Sequence, residues 1–390
     1  MAAEKNTSHY CGTQNRNSQP DTHRTRGGKR RLLGHGLKLC TLAAACAGVP
    51  AAHAQSSVTL YGIVDAAVQY GKFNSNVSPT AMAASGNLQA SRFGFRGSED
   101  LGGGYHANFQ LETGFNTYTG VGGGATMFNR GAAVGLSSDR YGSIDAGNLY
   151  LPIYWVYLGS DVGTYGLSNP AAIMSLQHTT TLGKSGTGGF YSNSVRYRTP
   201  NTLGGFSAEL GYSFGAQNAS GQTADGRNLG MNVQYAKNGL MLGYGVNRYQ
   251  YYENATTLSA SSQITQIVGA TYQIPNSNNV IGANYLYSKR TDSTAWFASS
   301  FMLNARIPAG PGDIELGVAR RIENGDARAM AYNVGYVYFL SRRTQLYGYA
   351  ARITNNSHST QGFALLNSTY ATVTPGFNPW VVTAGLRTSF

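Results

Sequence analysis

After residue 60 this 390-residue chain has no apolar run of about 18 residues or more. That excludes membrane-spanning helices, each of which needs roughly 20 such residues to cross the hydrocarbon layer. Charge is scarce too. Asp, Glu, Lys and Arg make up 12% of the chain, about half of the ~25% usual in soluble domains. Beyond residue 54 there is no cysteine, because Cys11, Cys40 and Cys46 all precede that point. Disulfides therefore cannot stabilise the body, although an exported protein would allow them. Histidine is also sparse there: His106, His178 and His358 are scattered, with no cysteine partner and no ligand spacing. No zinc site or other metal site is expected from them, and no cofactor.

Abundant instead are glycine, with 51 residues, and tyrosine, with 27. A polar, glycine-rich and tyrosine-rich chain without apolar runs suits a barrel with a lipid-facing outer surface and aromatic girdles at its ends. The formal charge of +12 supports no nucleic-acid reading. Residues 1–54 hold eight Lys/Arg and two acids, which leaves 21 basic and 15 acidic residues spread along the remainder. A nucleic-acid site would need them clustered on one face.

The start of the chain reads as an address. Lys29, Arg30, Arg31 and Lys38 precede a short apolar stretch from Leu39 to Val49, and a small-x-small ending follows at Ala52, His53 and Ala54. This is a secretory signal layout, with cleavage expected between Ala54 and Gln55. The domain expectation is thus an N-terminal extension and removed signal over 1–54 and a barrel over 55–390. The stretch Ala43 to Cys46 only faintly has the form of a lipoprotein site, being alanine-rich and followed by the better A-x-A ending. Arg30 and Arg31 hint at a twin-arginine signal, but barrel strands imply export of an unfolded chain.

From Gln55 onward the sequence runs in segments of about ten alternating residues broken by turn chemistry. In "SVTLYGIVDAAVQY", Val58, Leu60, Val64, Val68 and Tyr70 share one face, while Thr59, Tyr61, Asp65 and Gln69 share the other. The closing "WVVTAGLRTSF" alternates in the same way, with Trp380, Val382, Leu386 and Phe390 against Thr383 and Arg387. Short connections such as "SDRYG", "AKNG" and "SRR" alternate with longer polar ones. The expected fold is all-β, a sixteen-stranded antiparallel transmembrane barrel whose last strand closes on the first. Such a barrel is wide enough to leave an aqueous channel.

One connection is unlike a solvated loop. From Leu149 to about Gly186 it carries Tyr150, Ile153, Tyr154, Trp155 and Tyr157. It is expected to fold inward as the third long loop and to narrow the pore. The other reading is an aromatic girdle segment followed by a surface loop.

The words "SSVTLYGIVDA", "SRFGFRGSEDLGGGYHANFQLETGF", "FNRGAAVGLSSDRYGSIDAGN", "YSNSVRYRTPNTLGGFSAELGYSFG" and "VVTAGLRTSF" closely resemble the general diffusion porins of Gram-negative bacteria, in the branch found in beta-proteobacteria. The likeness runs in order along the whole body. It implies an outer-membrane homotrimer of sixteen-stranded barrels, each narrowed by its third loop and passing small hydrophilic solutes and ions. The partners implied are outer-membrane lipid and lipopolysaccharide, the barrel-assembly machinery, and two further copies. The terminal Phe390 resembles the family's assembly signal.

In the family an arginine wall faces acidic groups across the constriction. The matching positions are Arg92 and Arg130. Alternation with Phe93 and Phe95 independently turns Arg92 and Arg96 inward. It does not do so for Arg130, which shares its face with Phe128, Val134 and Leu136, so its inward placement rests on the resemblance. Phe190 replaces a usual arginine, and Asn148 and Leu151 stand where an arginine and an aspartate are usual. Asp65 and Glu112 face inward by alternation, and Asp161 is the acid within loop three. With Tyr154 and Tyr157 these complete the expected constriction. Arg196, Arg198 and Arg387 are further lumen-facing bases. A basic side outweighing a thin acidic one predicts weak anion preference.

No nucleophile–base constellation or phosphate cradle stands out, and no enzymatic activity is expected. "LGGGYH" and "GVGGGA" open no helix and precede no Lys-Ser/Thr pair, so they read as turns. Beside a general diffusion pore two readings stay open: a substrate-specific channel with an aromatic-lined path, for which Tyr154, Trp155 and Tyr157 speak, and a structural or adhesive barrel.

Overall fold

The computed structural model describes residues 57–124, 126–163, 166, 189–215, 223–253, 259–363 and 373–390. The expected signal and its cleavage site at Ala54 and Gln55 lie outside them, as does most of loop three beyond Gly163.

Alternating segments become antiparallel strands. They are β1 (Ser57–Lys72), β2 (Thr80–Ser85), β3 (Arg92–Gly102), β4 (Tyr105–Gly114), β5 (Gly131–Ser138), β6 (Gly142–Tyr150), β7 (Phe190–Arg198), β8 (Phe206–Phe214) and β9 (Arg227–Lys237). After these come β10 (Leu240–Tyr251), β11 (Ser261–Gln273), β12 (Val280–Arg290), β13 (Phe297–Ala309), β14 (Gly312–Glu323), β15 (Ala327–Phe339), β16 (Thr344–Asn355) and β17 (Trp380–Ser389). Each pairs with its neighbours, and β17 closes on β1 in the register Ile63↔Ser389 to Lys72↔Trp380. The seam has no free edge, as a membrane barrel requires, since lipid offers backbone groups no hydrogen bonds.

The described residues form seventeen strands but sixteen wall positions, because β2 and β3 share one. The upper part of β1 pairs with β2, Ala66↔Ser85 to Gly71↔Thr80, and its lower part with β3, Ser57↔Ser98 to Ile63↔Arg92. Alternation alone indicates one continuous second strand. Residues 86–91 instead leave the wall between the two halves.

The pleat sorts the side chains as alternation dictates. Outward residues such as Val58, Leu60, Val68, Val134, Val334 and Val382 are exposed, whereas inward Asp65, Gln69, Asn247, Thr265, Ser288 and Thr383 are buried. The inner wall is not uniformly polar, however. Ile267 on β11, Leu286 on β12, Met302 on β13 and Ile353 on β16 point inward and form one apolar cluster with Leu151, Ile153, Val156 and Tyr157 of the third long connection. A barrel this wide has its core where a loop lies against its inner wall. At the barrel end where β1 begins and β17 finishes, connections among the described residues are tight. Asn238 and Gly239 turn β9 into β10 with φ of 54° and 77°, the pair of positive values that a two-residue type I′ hairpin demands.

Candidate pore constriction

The third long connection leaves β6 at Tyr150 and at once forms a short helix, α1 (Pro152–Gly159). Proline suits the first helical turn, where its missing N–H would have no partner. Helical spacing puts Ile153, Val156, Tyr157 and the following Ser160 on one face, and all four are buried. Tyr154 and Trp155 lie on the other face, half-buried. The inward fold expected of loop three is therefore present over its described part.

Glycines on the inner wall make room for it. A Cβ on Gly230 would come within 3.1 Å of Pro152 Cδ, one on Gly243 within 2.9 Å of Val156 Cγ1, one on Gly245 within 3.2 Å of the Ile153 Cα, and one on Gly269 within 2.7 Å of Ser160 Cβ. A track of bare backbone across β9, β10 and β11 is thus the seat of the helix. Three asparagines pin its ends. Asn232 Nδ2 donates to the Pro152 carbonyl at 2.6 Å, Asn284 Nδ2 to Ser160 Oγ at 2.9 Å, and Asn304 Nδ2 to the Ser160 carbonyl at 3.3 Å. Asn304 Oδ1 also accepts from the Val162 N–H at 3.2 Å.

Charges gather on the wall formed by β1 and β3–β8. Glu112 on β4 accepts from Arg130 Nε at 2.8 Å and from the Tyr61 hydroxyl at 3.0 Å, with Arg92 Nε 3.9 Å away. Arg130 Nη2 also donates to the Tyr150 hydroxyl at 2.8 Å, and its guanidinium lies 5.4 Å from the Phe190 ring centroid. Arg130 precedes the first residue of β5, so strand alternation does not govern it, and its side chain turns inward. Below these, Asp145 on β6 pairs with Arg196 at 3.0 Å and Arg198 at 3.1 Å, and Arg196 reaches Glu209 on β8 at 3.1 Å. Arg96 is exposed, with its guanidinium 5.2 Å from the Tyr61 ring centroid. Arg96, Arg130, Arg196 and Arg198 line, with Asn108, Gln110, Tyr150 and Trp155, a cavity of about 410 Å³.

Asp161 lies elsewhere. It is buried beyond the end of α1, where its carboxylate accepts from the Gly163 N–H at 2.9 Å. Arg387 on β17 donates to Gln345 at 2.9 Å and to Gln89 at 2.8 Å. Two expectations need correction. Tyr157 is 4% exposed and packs in the cluster between loop and wall, so it does not border the open channel. Asp65 does face inward but is fully buried, its carboxylate engaged by Leu88 N–H, Gln89 N–H and the Tyr347 hydroxyl. Sequence reasoning misses Asp145, Glu209 and, on β14, the buried Glu315, whose carboxylate accepts from the Tyr349 hydroxyl, although alternation along β6, β8 and β14 offers the signal; Tyr150 is expected in the inward loop, but its bond to Arg130 is not.

A family model described as Gram-negative porin matches residues 40–358. The chain belongs to the Gram-negative porin family. Outer membrane porin protein 32 of Delftia acidovorans is 33% identical to this porin over 354 residues, covering 87% of this chain and 96% of the relative. An outer membrane porin protein of Bordetella pertussis is 29% identical over 367 residues, covering 78% of this chain and 91% of the relative. Among solved structures, an anion-selective porin from Comamonas acidovorans superposes with a TM-score of 0.78 at 28% identity, covering 86% of this chain and all of that one. OmpT of Vibrio cholerae, in a trimer form, gives a TM-score of 0.62 at 15% identity, covering 86% of this chain and 99% of that one, a likeness of fold. The porin is thus a multi-pass β-barrel of the outer membrane, and its lumen is a passive diffusion path for small hydrophilic solutes and ions. The family is one of channels.

Proposed function

We propose that this porin is a weakly anion-selective general diffusion channel whose constriction lies between the arginines of β3–β7 and loop three. One observation carries the reading: the acids of that wall are buried beneath its bases. Side-chain exposure is 6% for Glu112, 11% for Asp145 and 5% for Glu209, against 15% for Arg130, 20% for Arg92 and 48% for Arg198; Arg196, held between Asp145 and Glu209, is as buried as they are at 9%. Paired arginines hold the carboxylates out of the water, so a passing ion meets positive charge first, and lumen charge decides which ions enter. The anion selectivity of the solved relative from Comamonas acidovorans supports the same sign.

In this reading Arg92, Arg96, Arg130 and Arg198 attract anions, Glu112 sets the height of that attraction, and Tyr154 borders the passage. Asp161 on loop three and Glu315 on β14 are buried as well, so the acidic side that faces these bases is thin. The functional unit is a homotrimer in outer-membrane lipid and lipopolysaccharide. It is exported by a signal cleaved between Ala54 and Gln55 and assembled by machinery that reads Phe390. A substrate-specific channel is the second reading, favoured by the ring cluster in which Tyr150 lies 4.6 Å from Tyr154, 5.3 Å from Trp155 and 4.2 Å from Phe190. Liposome swelling with neutral, anionic and cationic solutes of equal size separates the two. A diffusion pore gives linear rates ordered by size and then charge, and conductance steps in threes for the trimer. Saturating rates for one solute class contradict it.

A further inference from the structure

We propose that residues 86–91 form a sill that completes the pore constriction, and that Asp65 is the positioning residue holding this sill in place instead of a charge seen by passing ions. The inference rests on the channel reading above.

The wall register shows that the chain must leave the sheet here. Pairing on β1 passes from Ala66↔Ser85 to Ile63↔Arg92, so the six residues 86–91 stand against only Val64 and Asp65. A β-bulge carries one extra residue, and this excess is too great for one. It turns inward: Asn87, Leu88 and Ser91 are 2%, 3% and 3% exposed. Gly86, at φ 76°, makes the turn out of β2, and its N–H donates to the Asp65 carbonyl at 3.1 Å.

Asp65 sits at the centre of the gap. Its Oδ2 accepts from the Leu88 N–H at 3.0 Å and the Gln89 N–H at 2.8 Å, and its Oδ1 accepts from the Tyr347 hydroxyl at 2.6 Å. Two backbone donors fix the sill, and a donor from β16 fixes the carboxylate. At 0% exposure the group has no face left for an ion. Both carboxylate oxygens are engaged within the protein, as buried charge requires.

The sill also meets loop three. Gly166 lies so close that an added Cβ would be 3.1 Å from the Asn87 carbonyl oxygen and 3.2 Å from that of Leu88. Loop three, seated on β9–β11 and pinned by Asn304, therefore returns to the first strands and abuts the sill. On the other side Gln89 accepts from Arg387 at 2.8 Å, so the sill presents that arginine to the lumen. The eyelet is bounded by the arginine wall, loop three and the sill that joins them.

The test uses the mature protein, which contains no cysteine, reconstituted in planar bilayers. Asp65→Asn keeps an acceptor for the two N–H groups and removes the charge; Asp65→Ala removes both. We expect Asp65→Asn to keep the wild-type reversal potential in a salt gradient. Asp65→Ala should lose the single steady open level. A Leu88→Cys/Gly166→Cys pair should cross-link with oxidised glutathione in the assembled protein and restore the steady level to Asp65→Ala. An Asp65→Asn shift in reversal potential as large as that of Glu112→Gln overturns the proposal, and so does failure of the pair to cross-link. If Asp65→Ala does not assemble, Asp65→Asn and the cysteine pair in the wild-type background still decide it. A wild-type protein that passes no current would instead refute the channel reading.

Discussion

Gly243 on β10 offers a direct perturbation of the loop seat. An added Cβ there lies 2.9 Å from Val156 Cγ1 and 3.2 Å from Val156 Cγ2, whereas carbon atoms rest about 3.5–4.0 Å apart. The β10 backbone is paired on both sides, to β9 and β11, so the helix must move and the strand must stay. Gly243→Ala should thus lift α1 into the lumen by roughly 0.6–1.1 Å, the difference between those separations. Overpacking of this kind costs about 1–3 kcal/mol. That cost falls on loop docking, and the barrel seam keeps its pairing. Gly348→Ala on β16 is the control, because its Cβ would have nothing nearer than 3.7 Å. Amide exchange across α1 should speed up by roughly 5–150-fold in Gly243→Ala, the factor equivalent to that cost. Single-channel conductance should fall, and Gly348→Ala should change neither quantity. Equal exchange and equal conductance in both variants would refute the reasoning that the wall glycines seat the loop.

Glu112→Gln removes the carboxylate that Arg130 and Arg92 share; a unit charge about 4 Å from an ion contributes about 1 kcal/mol in water, favourable to a cation and unfavourable to an anion, so anion-to-cation permeability should rise by up to about 30-fold, read from reversal potentials. Asn304→Ala removes two hydrogen bonds that pin loop three, each contributing about 0.5–1.5 kcal/mol, and should increase open-channel current noise without changing the reversal potential. Deleting Phe390 removes a reciprocal backbone pair with Gly62, at 3.1 Å in both directions, so assembled, heat-resistant protein in outer-membrane fractions should decrease while the conductance of what assembles stays as before; equal yields would contradict an assembly role.

The parts legible in sequence are those governed by period two. The lipid faces of β1 and β17 and the inward turn of Arg92 follow from alternation alone, because a strand gives each residue one of only two directions; the closing of β17 on β1 follows from the barrel reading, in which the last strand must pair with the first. The inward fold of loop three is legible because Tyr154, Trp155 and Ile153 have no place in a solvated loop. Other features depend on distance between strands, which alternation does not encode. Gly230, Gly243, Gly245 and Gly269 read as weak strand residues until the helix they seat is placed against them. The sill is hidden because "SGNLQASRF" also reads as a strand start, and only the pairing partners on β1 expose six residues set against two. Arg130 precedes the start of β5, so its side chain obeys local turn geometry instead of the pleat. Tyr157 is misplaced by sequence reasoning because aromatic character does not say which face of a short helix a ring will occupy.

Accessible charge in the lumen is positive although most of the wall arginines are paired with acids. The zero-current potential of the purified mature protein in a KCl gradient tests it most directly. The potential should have the sign given by chloride permeating faster than potassium, growing in Glu112→Gln and shrinking in Arg96→Gln. A potential of the opposite sign in the wild-type protein would contradict it.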